Sequence, residues 1–254
     1  MKFIYIIIIT ICIIIIINYL FWLYNKITWD EDKINKKLND VKVNHRTGDL
    51  VLFSGVGIDS YFGKLASQTD YSRAAILVIM PDDVYVLIMH INHFRHIDKF
   101  GNNSGLLLLK FRDILGDGYN YIDIFSVGQD AQLSLDEILQ YYVKMRNVEY
   151  DRWYYVHYLP DLQIKNRFIK FSSHALLVYV LNNNDKRYCL EVPTELWNST
   201  NLFEKYNIPI PGYPNRKKIL YDDLIRLPFV TNNITRIYPT MTNNSLYLYF
   251  WWKI

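Results

Sequence analysis

The sequence predicts an α+β domain that follows one N-terminal transmembrane helix. A long apolar run opens the chain, several strand-like runs lie between residues 50 and 127, and helical patterns begin after Gly128. A block of strands followed by helices is typical of an antiparallel sheet packed on helices, and it argues against a parallel α/β sheet.

The apolar run Phe3–Tyr24 contains 22 residues, and its only clearly polar members are Thr10 and Asn18. As a helix it spans about 33 Å, enough to cross a hydrocarbon core of about 30 Å. A cleaved signal peptide is the alternative, but it needs a shorter apolar core and a small-residue cleavage site. Because the run is longer and no such site follows, we expect an uncleaved anchor.

Positive charge lies mainly on the C-terminal side of the anchor. The lysines there are Lys26, Lys33, Lys36, Lys37 and Lys42, against Lys2 alone before it. Such residues tend to stay in the cytoplasm, so we expect a single-pass membrane protein whose domain faces the cytoplasm. The chain is divided accordingly into an anchor at 1–24, a polar stalk at 25–45 and a domain at 46–254.

Five runs in the domain have the composition of strands. They are Leu50–Phe53, Ala74–Met80, Val84–Ile91, Leu106–Phe111 and Tyr121–Val127. The turn Thr47-Gly48-Asp49 precedes the first run, and Pro81-Asp82-Asp83 joins the second to the third as a hairpin. These runs predict the sheet.

Helical signals occur at three places. Ser60–Ser67 is a short candidate, Ser134–Arg146 is amphipathic with a capping box formed by Ser134 and Glu137, and Ile169–Leu181 is apolar on most sides. The aromatic tail Leu246–Trp251 is strand-like, and we expect it in the core, with contact to a membrane interface as the alternative.

Composition argues against several functions. The 28 Lys and Arg residues nearly balance the 25 Asp and Glu residues, and without a basic stripe there is no case for nucleic-acid binding. Cys12 lies in the predicted span and Cys189 in the domain, so no intramolecular disulfide is expected. Asn102, Asn198, Asn233 and Asn243 begin glycosylation sequons, which arise readily by chance in so Asn-rich a chain.

No cofactor or metal is expected. The chain has no Gly-rich phosphate loop, no H-E-x-x-H and no C-x-x-C. His90, His93 and His96 have a spacing that suggests a metal cluster, but the pattern shows no fourth ligand. We interpret them as histidines at a strand end and in the following loop.

A series of short motifs resembles the circularly permuted NlpC/P60 papain-like proteins, which include the YaeF/YiiX-type hydrolases, the lecithin:retinol acyltransferase group and relatives in large DNA viruses. Thr47–Gly55 resembles the opening motif of that family, and Tyr71–Ile76 resembles its Y-S-H-V-G-I strand. Glu149-Tyr150-Asp151 resembles its Y-D motif, Phe171–Leu181 its helix beginning C-S-E-L-V, and Glu191–Leu196 its P-x-x-L segment. The resemblance covers residues 46–200.

The resemblance implies a papain-like site in which a Cys is activated by a His, and a third polar residue orients that His. Matched by position, Arg73 stands in place of the His, His90 at the third position, and Ser173 in place of the Cys, with Ser172 one residue away as the alternative. Arg cannot accept a proton, and a Ser without a base is a weak nucleophile. The expected catalytic residues are therefore degenerate.

Two hypotheses result. The first is a catalytically inactive NlpC/P60-like protein that acts as a binding or structural module, whose resemblance to viral members implies a viral membrane or virion protein with other membrane or virion proteins as partners. The second is a rewired hydrolase or acyltransferase in which His90 acts as base to Ser173 on an ester, amide or lipid substrate. The sequence favours the first, because the second leaves a permanent cation, Arg73, in the cleft.

Overall fold

A six-stranded antiparallel sheet is the centre of the fold. The computed structural model describes residues 31–55, 60, 64, 67, 69–90, 97–115, 119–151, 186–211 and 219–238. Within these ranges the strands are β1 (Leu50–Gly55), β2 (Arg73–Ile79), β3 (Val84–His90), β4 (Gly105–Lys110), β5 (Tyr119–Val127) and β6 (Val230–Ile237). Their order across the sheet is β4-β3-β2-β1-β5-β6. The predicted α+β class with an antiparallel sheet is confirmed, and so are the five predicted strands.

Helices cover both faces of the sheet. The described helices are α1 (Glu31–Asn44), α2 (Phe111–Leu115), α3 (Leu135–Met145), α4 (Glu191–Ser199), α5 (Leu202–Lys205) and α6 (Tyr221–Ile225). One core cluster joins the sheet to α3, α4, α5 and α6, and we call that side the helical face. A second cluster joins the opposite side to α1 and α2, and we call it the α1 face. Covering on both sides explains why β3 is buried along its whole length.

Helix α1 lies in the segment predicted as a polar stalk. Its residues Ile34, Leu38 and Val41 are buried in the cluster on the α1 face, whereas Val43 is exposed. These three positions recur at three- and four-residue spacing and form one stripe of the helix. This part of the stalk therefore belongs to the folded core.

The Thr47-Gly48-Asp49 turn ties three strands together. Thr47 Oγ1 accepts a hydrogen bond from the Ile79 backbone N–H at 3.0 Å. Gly48 has φ +100, and an added Cβ would lie 2.9 Å from the Leu133 nitrogen. The buried Asp49 carboxylate accepts from the Val127 N–H at 2.9 Å. Each residue of the motif thus has a structural role at the end of the sheet opposite Arg73.

Local sequence signals predicted the start of α3 correctly. Ser134 is its N-cap, and the predicted capping box with Glu137 is present. The strand predicted to end at Phe111 ends at Lys110, because Phe111 begins α2 and its side chain turns into the α1-face core. The sequence did not predict β6, because the residues between its buried ends, Val230 and Ile237, are mostly exposed and contain no apolar run.

Several predictions fall outside the described residues. These are the anchor 1–24, the helix Ile169–Leu181, the aromatic tail Leu246–Trp251 and most of the short helix Ser60–Ser67. Of that short helix only Ser60, Lys64 and Ser67 are described, and all three are helical. Among the described residues, no helix combines the length and the apolar character needed to cross a bilayer.

Candidate functional site

Polar side chains gather at one end of the sheet, where β1 and β3 end and β2 and β5 begin. We call this the polar end. Its described polar residues include Ser54, Tyr71, Arg73, His90, Tyr121 and Asp123. Antiparallel pairing brings them together, because the end of each strand lies beside the start of its neighbour.

Arg73 is the first residue of β2, as the sequence predicted. It is half-buried and pairs with Phe53 of β1. The pairing of Ala75 with Ile88 sets the register between β2 and β3. Continued by two residues, that register places Arg73 opposite His90. The two predicted site positions therefore lie on neighbouring strands at the same end of the sheet.

His90 is the last residue of β3 and is buried. Side chains alternate between the two sides of a strand, so His90 shares a side with Ile88, which packs in the cluster on the α1 face. The same alternation assigns the Cβ of Arg73 to the side of Ala75 and Phe53. The Cβ atoms of Arg73 and His90, the predicted base and orienting positions, thus lie on the α1 face of the sheet.

Ser173 and its neighbour Ser172 lie outside the described residues, as do His93 and His96. The pairing of Ser173 with His90 stays a prediction. Within the described ranges, no group of His, Cys, Asp and Glu side chains has the geometry to hold a metal ion.

Cys189 is a residue that the sequence reasoning missed. It lies two residues before α4, is fully buried, and packs on the helical face beside β2. Its Sγ is 3.7 Å from the Tyr221 hydroxyl. Burial raises the pKa of the Cys189 thiol, and its hydrogen bonds with the Ala74 backbone and Tyr221, together with the positive charge of Arg73, offset the shift only in part.

A signal for Cys189 was present in the sequence. In Cys189-Leu190-Glu191-Val192, a Cys and a Glu have the same spacing as in the C-S-E-L-V motif, and α4 begins at Glu191. Cys189 is therefore a second candidate, alongside Ser173, for the Cys position of the group that the sequence resembles. Unlike Ser173, it keeps the thiol.

An ion pair between the exposed Arg236 and the buried Asp123 lies at one side of the polar end. Asp123 is fully buried, and its two carboxylate oxygens each accept a hydrogen bond of 2.7 Å from Arg236 of β6. The Tyr71 hydroxyl also donates to this carboxylate at 2.7 Å. The Arg236 guanidinium stacks 4.2 Å from the centre of the Tyr121 ring. Burial and the Asp123 carboxylate raise the pKa of Tyr71, so it stays a hydrogen-bond donor.

A buried lysine contacts the end of β1. The Lys64 ammonium donates to Ser54 Oγ at 2.8 Å, and both residues are nearly inaccessible. Burial lowers the pKa of Lys64, and the negative charge of Asp70 opposes the shift. Among the described residues, the cationic side chains at the polar end include Lys64, Arg73 and Arg236, and Arg236 pairs with Asp123.

Comparison with known proteins finds a similar solved structure but no family. No protein-family model matches the chain, and no curated protein matches it. Among solved structures, the chain is similar to metalloprotein YiiX of Escherichia coli O157:H7, described as DUF1105. The likeness has 13% identity and a TM-score of 0.42, and it covers 78% of this chain and 99% of the other. A likeness of this extent gives no argument about chemistry.

Proposed function

We propose that the chain is a membrane-anchored member of the permuted NlpC/P60 group that has lost the family's thiol chemistry and serves as a binding or structural module. The proposal also includes a viral membrane or virion setting, which comes from the resemblance to viral members. Two observations support the loss of chemistry: the thiol of Cys189 is fully buried, and an arginine, Arg73, stands at the family's base position.

The physical reason is the protonation state of the thiol. A cysteine nucleophile reacts as its thiolate, and a catalytic Cys therefore needs a depressed pKa. Here burial shifts the pKa of Cys189 upward. Arg73 stabilises negative charge but accepts no proton, because its guanidinium stays protonated in proteins. If Ser173 is the aligned nucleophile instead, it also lacks a base, because Arg73 occupies that position.

Alkylation of Cys189 in the full chain tests this proposal. In a Cys12→Ser background, Cys189 is the only thiol. We expect iodoacetamide at pH 7 to modify it far more slowly in the folded protein than in urea, and ester and thioester substrates to be left unhydrolysed. Rapid alkylation of the folded protein, or labelling by a serine-reactive fluorophosphonate that Ser173→Ala abolishes, would overturn the inactive-site proposal.

Reversion separates a degenerate site from an unrelated core thiol. Arg73→His returns an imidazole to the family's base position. If Cys189 stands at the nucleophile position, this substitution should accelerate its alkylation near pH 6, and Arg73→Gln serves as the control that removes the charge without adding a base. Equal rates in the two variants would mean that the two positions do not form one site.

We propose a cytoplasmic orientation for the domain on the basis of the lysines that follow the anchor. Asn198 and Asn233 are exposed and begin sequons, so they report on the orientation. Asn102 is a poorer acceptor, because its side-chain amide donates to the Tyr142 hydroxyl. Expressed in eukaryotic cells, the protein should show no mass loss on treatment with an N-glycosidase. Glycans at Asn198 or Asn233 would reverse the orientation.

A further inference from the structure

The two edges of the sheet differ in how their backbone groups are covered. At the β4 edge, the Lys99 N–H donates to the Leu108 carbonyl at 3.1 Å, and the Leu108 N–H donates to the Asp98 carboxylate at 3.4 Å. The opposite edge is β6, and no other strand of the described ranges pairs with its outer side. Within those ranges, the outward N–H and C=O groups of β6 are therefore left for water or for a further strand.

Strand β6 has few of the features that protect an exposed edge. It contains neither lysine nor proline, and its only charged residue, Arg236, pairs with Asp123 of β5. Ile234 is apolar and yet 47% exposed. Natural sheets usually cover such an edge or guard it with lysine, proline or a bulge. The β6 edge therefore has the properties of a docking site for an extended segment.

The chain that follows β6 contains a segment suited to this edge. Sixteen residues follow Tyr238, and the run Leu246–Trp251 lies among them. In an extended strand, the side chains of this run would alternate between the two sides, with Leu246, Leu248 and Phe250 on one and Tyr247, Tyr249 and Trp251 on the other. A strand is not stable by itself in water, so a segment with this pattern needs a neighbouring strand. Consecutive strands of a chain are usually neighbours in a sheet.

We propose that Leu246–Trp251 docks against the outer side of β6 as a seventh, antiparallel strand and covers this edge. The eight residues 238–245 join the two strands. Fully extended they reach about 26 Å, well beyond the ~4.8 Å between neighbouring strands. Asn243 and Asn244 are turn formers within this connection. The length and the composition of the connection therefore both permit a hairpin.

A register that places Leu246 opposite Ile237 matches the side chains on the α1 face. Ile237 is buried in the cluster on that face. Residues directly opposite each other in an antiparallel pair share a side, so Leu246, Leu248 and Phe250 would all lie on the α1 face and extend its core. A shift of one residue would turn these three apolar side chains to the other face.

On the helical face, the same register places Tyr247 opposite Arg236 and Tyr249 opposite Ile234. The Arg236 guanidinium stacks 4.2 Å from the centre of the Tyr121 ring, and 42% of its side chain remains exposed for a second ring. Tyr249 would cover the exposed Ile234. Tyrosines suit this side, because their rings bury apolar area while their hydroxyls reach water.

Two other arrangements compete with this one. In the first, β6 of a second copy pairs with this edge, but a second copy binds at its solution concentration, whereas a tethered tail has an effective concentration of about 1 mM or more. In the second, the tail lies in the membrane interface, which suits Tyr and Trp side chains but leaves the β6 edge uncovered. Tethering and backbone pairing therefore favour the docked tail.

Hydrogen–deuterium exchange of the full chain in detergent micelles, read by mass spectrometry, tests the proposal. The comparison is with a variant that ends at Tyr238 and so lacks the tail. We expect the β6 amides to exchange at least about tenfold faster without the tail, because a paired strand opens as one unit. The amides of β2 and β3 should keep their protection in both proteins, which shows that the domain remains folded.

Paired proline substitutions locate the contact. Adjacent N–H groups of a strand point toward opposite edges, so Leu248→Pro combined with Tyr249→Pro removes a donor that faces β6 in either register. This variant should speed the exchange of β6 about as much as the truncation does. Met241→Pro combined with Thr242→Pro is the matched control in the connection, and it should change the exchange of β6 by less than about twofold.

Three outcomes would overturn the proposal. Exchange of β6 that is equally fast with and without the tail would place the tail elsewhere, as in the membrane interface. Exchange that is equally slow would mean that another partner covers the edge, and protection that falls on dilution would identify that partner as a second copy. An equal effect of the two proline pairs is the third. The inference does not rest on the proposed function, because none of these measurements involves Cys189 or Arg73.

Discussion

Removal of Arg236 should leave the buried carboxylate of Asp123 without a compensating positive charge. Asp123 is fully buried, and the Arg236 guanidinium binds both of its carboxylate oxygens at 2.7 Å. Breaking a buried ion pair by removing one partner costs about 3–5 kcal/mol, mostly because the remaining charge is left without compensation. The Arg236 side chain is 42% exposed, so water can partly replace it. We therefore expect Arg236→Ala to lower the free energy of unfolding by about 3 kcal/mol, at the low end of that range.

Urea unfolding of the full chain in micelles, followed by circular dichroism, measures this change. With an m value of about 2–3 kcal/mol/M, the midpoint should fall by about 1–1.5 M. The matched control is Arg226→Ala, which removes an arginine that is 80% exposed and lies 3.5 Å from Asp222. An exposed pair of this kind is worth at most about 1 kcal/mol.

A second variant isolates the cause. Adding Asp123→Asn to Arg236→Ala removes the uncompensated carboxylate charge and keeps a hydrogen-bonding group beside the Tyr71 hydroxyl. This double variant should be more stable than Arg236→Ala alone. The reasoning would be refuted if Arg236→Ala shifted the midpoint no more than Arg226→Ala, or if the added Asp123→Asn lowered stability further.

Three other predictions concern the packing, the titration and the anchor. In α1, Leu38→Ala should destabilise the domain by about 2–5 kcal/mol in the same urea assay, whereas the exposed Val43→Ala should change stability by less than about 0.5 kcal/mol, and equal effects would mean that α1 does not pack on the sheet. The pKa of Cys189 is raised, and that of Tyr142 is raised to about 12, so above about pH 9 the folded state holds protons that the unfolded state releases. The free energy of unfolding should therefore fall as the pH rises above about 9. A free energy of unfolding that stayed flat or rose between about pH 9 and 11 would contradict this. The full chain should stay with membranes through a carbonate wash and be released when residues 1–24 are deleted, and recovery of the full chain in the soluble fraction would argue against the anchor.

Elements that depend on local signals were predicted well. The five strands begin and end within two residues of their predicted bounds, because β-branched and apolar runs bounded by turn residues carry their own signal. The capping box of α3 was equally local, since Ser134 and Glu137 are three residues apart. The position of Arg73 at the start of a strand was instead expected from the order of the motifs that resemble the permuted NlpC/P60 group.

Elements that depend on distant partners were not predicted. Strand β6 has exposed, polar residues and is recognised only through its pairing with β5, and the packing of α1 depends on an apolar sheet face formed by later strands. Helix α4 was described only as a short motif, because its apolar residues are interspersed with polar ones.

For the site, the sequence by itself determined which chemical groups the domain has: an arginine where the resembled family has its base, a histidine at the end of the next strand, and one cysteine in the domain. The tertiary structure decided that Cys189 packs beside β2 as a buried thiol, and that Asp123 is neutralised by Arg236, a residue 113 positions away in the chain. The reason is physical. Burial and ion pairing depend on which segments the folded chain brings into contact, and neither periodicity nor local propensity carries that information across such separations.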